Sequence, residues 1–289
     1  MANSIAEVLA EASQILRNAG VPEARREAAS LLAHLIAKDR TFLISHAEHE
    51  LSTNEFKSFA DSVARRARGE PLQYITGQQD FYGRVFRVSP DVLIPRPETE
   101  LLVESALELI SASQKPVRIC DVGTGSGCIA ITLACENSNV RGVALDISTS
   151  ALEIAKQNAI ANNVDERLAF TVSDCFAALP KDGPLFDLIA SNPPYVASDV
   201  VAGLQREVKD HEPMVALTPG SDGLSIIRRL ITEAPQFLRK DGYLLLEIGF
   251  DQGEAVRALV NQTHWELVDI RPDLQGIPRI VILRKTALA

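Results

Sequence analysis

No uninterrupted apolar run in this 289-residue chain approaches the ~20 residues needed to cross a bilayer, so no membrane-spanning segment is expected. The stretch from Met1 to Leu16 lacks the basic start and apolar centre of a signal peptide and carries acidic residues at amphipathic spacing instead. Cysteine is scarce. Cys120, Cys128, Cys135 and Cys175 show no Cys-x-x-Cys spacing and lie in apolar contexts, which reads as buried reduced thiols, a cytoplasmic compartment and no metal site. His46 and His49 flank Glu48 in a polar loop, too thin a set for a metal centre. Positive charge is also lacking. The net charge of −9 argues against a protein that coats nucleic acid, as does the absence of a basic, aromatic-studded groove in a chain with 5% aromatics. The one local basic cluster, Arg65-Arg66-Ala67-Arg68, falls in the last turn of a predicted helix, where cations complement the helix dipole.

What is present organises the chain into three parts: a helical module over 1–75, a β-hairpin linker over 76–97 and an α/β domain over 98–289. Ser4-x-x-Glu7 and Ser52-x-x-Glu55 are capping boxes that open helices stopped at Gly20 and Gly69. Pro22 suits the first turn of a second helix. No polar constellation in this module looks catalytic, so its expected role is packing or partner recognition. Phe81-Tyr82-Gly83 and Val85 to Val88 suggest the hairpin, and Pro97 can open the next helix. Strands are then expected at 117–122, 140–145, 168–172, 185–190, 242–248, 265–271 and 279–284. Helices are expected near 126–136, 149–162, 223–239 and 252–261. That alternation implies a mostly parallel seven-stranded sheet covered on both faces. The last two strands are joined without room for a helix and should pair antiparallel.

Two stretches carry chemistry. Gly123-Thr124-Gly125-Ser126-Gly127 follows the first strand and opens a helix, so its backbone can approach a ligand closely. The spacing is not the Gly-x-Gly-x-x-Gly of dinucleotide enzymes. Asp121 before it suits a cationic amino group. Asp146 at the tip of the second strand can accept hydrogen bonds from ribose hydroxyls, and Ser173-Asp174 after the third could meet an adenine edge. A ligand with an amino acid at one end and adenosine at the other fits: S-adenosylmethionine. The second stretch is Asn192-Pro193-Pro194-Tyr195, just beyond the strand Phe186 to Ser191. Alone it reads equally as a strand-ending turn or as a receptor for a planar NH2 group, with two oxygens to accept its hydrogens and a ring to stack on it. A polar stretch after it, Asp199 to Asp210, is a candidate lid.

Together these motifs resemble class I amino-methyltransferases. Leu93-Ile94-Pro95-Arg96-Pro97-Glu98-Thr99-Glu100 and the helical N-terminal module sharpen this to a resemblance to the peptide chain release factor N5-glutamine methyltransferases, over essentially the whole chain. The resemblance implies a Rossmann-like methyltransferase sheet, S-adenosylmethionine as methyl donor, and the Gly-Gly-Gln motif of class-I release factors as acceptor, with no direct nucleic-acid or membrane partner and a monomeric state. It assigns Gly123 to Gly127, Asp146, Asp174 and Asn192 to the donor. Asn192, Pro193, Pro194 and Tyr195 fall to the substrate glutamine, with Asn192, Pro193 and Tyr195 in the chemistry. Many relatives place Trp where this chain has Cys175, leaving Phe176 as the candidate to stack on adenine. The alternatives are a ribosomal-protein glutamine methyltransferase and an adenine-N6 nucleic-acid methyltransferase. Further off stand a nicotinamide oxidoreductase, which leaves Asn-Pro-Pro-Tyr unexplained, and a non-enzymatic translation-factor-binding module.

Overall fold

The computed structural model describes residues 4–111, 115–260 and 265–286. In chain order the elements are helices α1 (Ile5–Asn18), α2 (Ala24–Leu35), α3 (Arg40–Ser45), α4 (Thr53–Ala67) and α5 (Leu72–Thr76), then strands β1 (Gln78–Phe81) and β2 (Arg84–Arg87). Next come α6 (Pro97–Ile110), β3 (Val117–Val122), α7 (Cys128–Glu136), β4 (Val140–Asp146), α8 (Thr149–Ala161), β5 (Leu168–Val172) and β6 (Phe186–Ser191). The remainder is α9 (Arg206–Lys209), α10 (Met214–Leu217), α11 (Ser225–Glu233), β7 (Leu238–Glu247), α12 (Gly253–Leu259), β8 (Trp265–Pro272) and β9 (Pro278–Lys285). The chain divides into two compact units. One comprises the chain up to Gln78 together with Gln205–His211; the other runs Gln79–Leu204 and continues from Glu212.

Both capping boxes form in the first unit, with Ser4 and Ser52 accepting from the amides of Glu7 and Glu55 while each Glu side chain accepts from the cap amide. Apolar faces of α1, α2 and α4 bury Ile5, Leu16, Leu32, Phe59 and Val63 in one core. Pro22 lies ahead of α2, which starts at Ala24 behind Glu23, rather than in its first turn. Arg66 turns inward: its side chain is 6% exposed and pairs with Glu27 and, at 2.6 Å, with Glu207 of α9. Helix-dipole complementarity is therefore an incomplete account of the Arg65 to Arg68 cluster. The second half of the polar stretch offered as a lid, from Gln205, belongs to this helical unit.

The second unit holds the seven-stranded sheet, in the order β5-β4-β3-β6-β7-β9-β8. Strands β3 to β7 pair parallel, and β9 runs antiparallel to both β7 and β8. Central strands read as near-continuous apolar runs because helices cover both faces, as in β6, where only Asp187 is not fully buried. Helix α11 ends at Glu233, short of the expected 239, because Pro235 cannot donate the next hydrogen bond; a 3-10 turn over Ala234–Gln236 leads into β7. The helix expected over 252–261 spans Gly253–Leu259, and residue 261 lies outside the described residues. No helix among the described residues is long and apolar enough to cross a membrane. The strand order reverses between β3 and β6. Ligands bind in the crevice at that switch, beyond the carboxyl ends of the strands.

Candidate active site

A cavity of about 180 Å³ opens there, between the loop after β3 and the turn after β6. Gly123, Thr124 and Gly125 line it, as do Asp146, Asp174, Asn192, Pro193 and Pro194. Ser126, Gly127 and Tyr195 are not on its wall.

The glycine loop is held by its own backbone. The amides of Gly123 and Thr124 both donate to the Leu145 carbonyl of β4, at 2.8 and 2.9 Å. Gly127 has φ +83, and an added Cβ there would sit 3.2 Å from the Ala155 Cβ of α8, so a bare residue suits both the left-handed turn into α7 and the approach of α8. An added Cβ at Gly123 or Gly125 meets nothing within 4 Å, so open space lies directly against the backbone. That is the fit a ligand laid on the loop requires. Asn158 of α8 braces the loop from behind, donating to the Ser126 carbonyl at 2.9 Å and exchanging hydrogen bonds with the Arg87 backbone.

Asp146 accepts from the Gly125 amide at 2.8 Å and the Ser148 amide at 2.9 Å, one on each carboxylate oxygen. Burial raises its pKa while those amides oppose the rise. Each oxygen keeps a lone pair, so the residue both ties the loop to β4 and can accept a diol. Asp174 lines the cavity but spends one oxygen on Arg229, at 2.8 Å. Phe176 does not reach the cavity: it is 2% exposed and stacks on Phe237 in the core, with centroids 4.9 Å apart. The Cys175 backbone, at φ +47, turns that ring away, and Cys175 itself lines the wall with Ile147.

Asp121 departs from its expected role. It is fully buried off the cavity wall, accepting from the Thr124 hydroxyl at 2.6 Å and the Ala130 amide at 3.2 Å. Its other oxygen is buried with no partner among the described residues. Burial pushes its pKa up to about 7 against those two donors. Because the folded pKa is raised, this group's contribution to stability is full below the ordinary carboxylate range and is lost as pH rises through about 7. Asp121→Asn removes that titration. Between about pH 5 and pH 8 the denaturant midpoint of the wild type should fall more than that of the variant; equal falls would show that Asp121 is not the titrating group.

Asn192 donates from Nδ2 to the Thr99 hydroxyl at 3.0 Å, which leaves Oδ1 as the accepting end of its amide. Thr99 Oγ1 donates to Glu247 Oε2 at 2.7 Å. The Tyr195 hydroxyl donates to Glu247 Oε1 at 3.2 Å, which holds the ring against the core under α11 and β7. Gln252 fixes the Tyr195 backbone, donating to its carbonyl at 3.0 Å and to that of Gly223. Gly223 cannot carry a side chain, since a Cβ would lie 2.3 Å from the Tyr195 carbonyl oxygen. Arg96, on the cavity wall, donates to the buried Glu212 at 2.6 Å. Glu247, Gln252, Asn158 and Gly223 carry no local pattern that marks them in the sequence.

Two family models match the chain: the PrmC N-terminal domain over residues 7–77 and the methyltransferase small domain over 98–209. The release factor glutamine methyltransferase of Nitratidesulfovibrio vulgaris is 43% identical, covering 97% of this chain and 95% of that protein. That of Cereibacter sphaeroides is 44% identical, covering 98% and 99%. A methyltransferase structure from Pyrococcus furiosus shares the fold at a TM-score of 0.53 and 16% identity, over 79% of this chain and all of that one. With relatives this similar along nearly its whole length, the chain belongs to the release factor glutamine methyltransferase family.

Proposed function

We propose that this protein transfers a methyl group from S-adenosylmethionine to the side-chain amide nitrogen of the glutamine in the Gly-Gly-Gln motif of class-I release factors. One observation carries the reading. The glycine loop with Asp146 and the Asn192-Pro193-Pro194 turn line a single cavity, which supports a donor and an acceptor meeting in one crevice. The bound donor supplies an electrophilic methyl on a sulfonium. Gly123, Gly125 and Asp146 hold its amino-acid and ribose portions, and Ile147 and Cys175 offer an apolar wall beside Asp174.

A carboxamide nitrogen is a poor nucleophile because its lone pair is delocalised into the carbonyl. The residues here supply position rather than a strong base. Asn192 Oδ1 and the Pro193 carbonyl accept the two N–H bonds of the glutamine and align its nitrogen with the methyl. Such alignment is worth up to ~7–11 kcal/mol of a barrier. The same acceptors stabilise positive charge as it develops on nitrogen, and the proton leaves after methyl transfer. From the sequence alone the Tyr195 ring is a candidate stacking platform. With its hydroxyl tied to Glu247 and its ring off the cavity wall, we assign it to bracing the turn.

The test is to incubate the protein with labelled donor and, in parallel, a release factor, ribosomal protein and nucleic acid, then map the modified residue. Label on the glutamine of Gly-Gly-Gln supports the reading. Label on a ribosomal-protein glutamine or on adenine overturns it.

A further inference from the structure

We propose that Glu247 is a positioning residue: acting through Thr99, it sets which end of the Asn192 side-chain amide faces the acceptor nitrogen. The inference rests on the glutamine-methyltransferase reading and adds to it a residue 55 positions from Asn192 in the chain.

The argument is one of hydrogen-bond polarity. Glu247 is 1% exposed at the end of β7 and, when ionised, can only accept. Thr99 is 2% exposed on α6, and its hydroxyl has one proton, which goes to Glu247 Oε2 at 2.7 Å. The Thr99 oxygen must then accept from its next neighbour. Asn192 is that neighbour at 3.0 Å, so it presents N–H to Thr99 and its carbonyl oxygen to the cavity. An asparagine free to turn over would offer the acceptor NH2 group a second NH2, donor against donor. The carboxylate removes that choice, and it also holds the end of the turn through the Tyr195 hydroxyl at 3.2 Å.

Protonation of Glu247 lifts that constraint. A proton on Oε2 donates to Thr99, the Thr99 proton is released toward Asn192, and the amide is free to turn its NH2 to the cavity. Burial is the main cause that pushes the Glu247 pKa up to about 7, with donation from Thr99 and Tyr195 opposing it. The charged and titratable groups around it are Glu98 of α6, which disfavours ionisation, and Arg279 of β9, which favours it while paired with Asp273. Tyr195 and Cys128 at the head of α7 complete the set, each with its own pKa raised by burial first and by this carboxylate. Methyl transfer should therefore be fastest above the Glu247 pKa and decline as pH falls through it.

Thr99→Val and Thr99→Ser separate polarity from packing. Valine keeps the shape and loses the hydroxyl; serine keeps the hydroxyl. In single-turnover assays at saturating donor, Thr99→Val should lower the rate constant on the order of 10- to 100-fold, the scale of a displaced catalytic group. Donor affinity by calorimetry should be retained, and Thr99→Ser should restore most of the rate. Glu247→Gln stands in for the protonated acid and has no charge to titrate: its amide can donate to Thr99 as well as accept from it, so its rate should be lowered and should lose the acid limb of the wild-type pH profile. A Thr99→Val enzyme at the wild-type rate, a Thr99→Ser enzyme as slow as Thr99→Val, or an unchanged acid limb in Glu247→Gln would overturn the inference. A wild-type protein that labels no glutamine would instead sink the functional reading beneath it.

Discussion

Asn192→Ala should slow methyl transfer on the order of 10²- to 10³-fold, the loss seen when one preorganised polar group facing a developing charge is removed. Asn192 follows directly on β6, where Ser191 donates to the Val122 carbonyl at 2.6 Å and locks the ends of β6 and β3 together. Pro193 and Pro194 then limit the backbone beyond it. The side chain thus emerges at a fixed point on the cavity wall, opposite the glycine loop. The proposed donor contacts lie elsewhere, chiefly on the loop backbone and Asp146, so donor affinity measured by calorimetry should fall far less than the rate constant. Asn192→Asp is the sharper companion. A carboxylate there has no N–H for Thr99, so it competes with Glu247 for the one Thr99 proton while still offering an acceptor to the cavity. It should lose activity despite near-identical size. A wild-type single-turnover rate constant in Asn192→Ala would remove this residue from the chemistry.

How much of this was legible in the sequence depended on whether the signal was local. The glycine loop could be read because each glycine takes positive φ, a conformation other residues resist, and because the strand before it and helix after it are strongly patterned. Asp146 could be placed on the crevice because it ends β4, the strand beside β3, on the carboxyl edge of the sheet. The Asn-Pro-Pro turn was placed for the same reason. What the sequence could not show was how the turn is held. Thr99 and Glu247 lie 148 positions apart, and only the packing of α6 against the β7 end brings them together. Gln252 and Asn158 act through backbone carbonyls of distant segments, which leave no pattern of their own. Phe176 turns into the core instead of the cavity because an aromatic next to a cavity residue can point either way, and the left-handed Cys175 backbone decides it. Burial of Asp121 is equally non-local: its strand is covered on both faces, and one carboxylate oxygen is taken by Thr124 and Ala130. The helices α3 and α5 are too short to show a period.

Arg66→Ala should destabilise the helical unit by about 2–4 kcal/mol, because removing one partner from a buried ion network strands the charges it neutralised. The guanidinium donates to both carboxylate oxygens of Glu27, to Glu207 at 2.6 Å and to the Glu70 carbonyl at 3.2 Å. Glu27 is 16% exposed and would be left nearly dry; Glu207, at 36%, can recover water, which keeps the cost below that of a fully enclosed triad. Two readouts separate this from simple loss of packing. Hydrogen exchange over Gln205–His211 should quicken, since Glu207 ties that segment to the helical unit. Arg66→Met combined with Glu27→Leu should be more stable than Arg66→Met alone, because removing both partners leaves no uncompensated carboxylate at α2. If the double variant unfolds at the same or a lower denaturant concentration, the cost comes from lost volume rather than charge. The same segment follows the Asn192 to Tyr195 turn in the chain, with only Val196 to Leu204 between them. Arg66→Ala should raise proteolytic cutting across 205–210 in the free protein, and unchanged cutting would mean that Arg66 does not restrain the stretch.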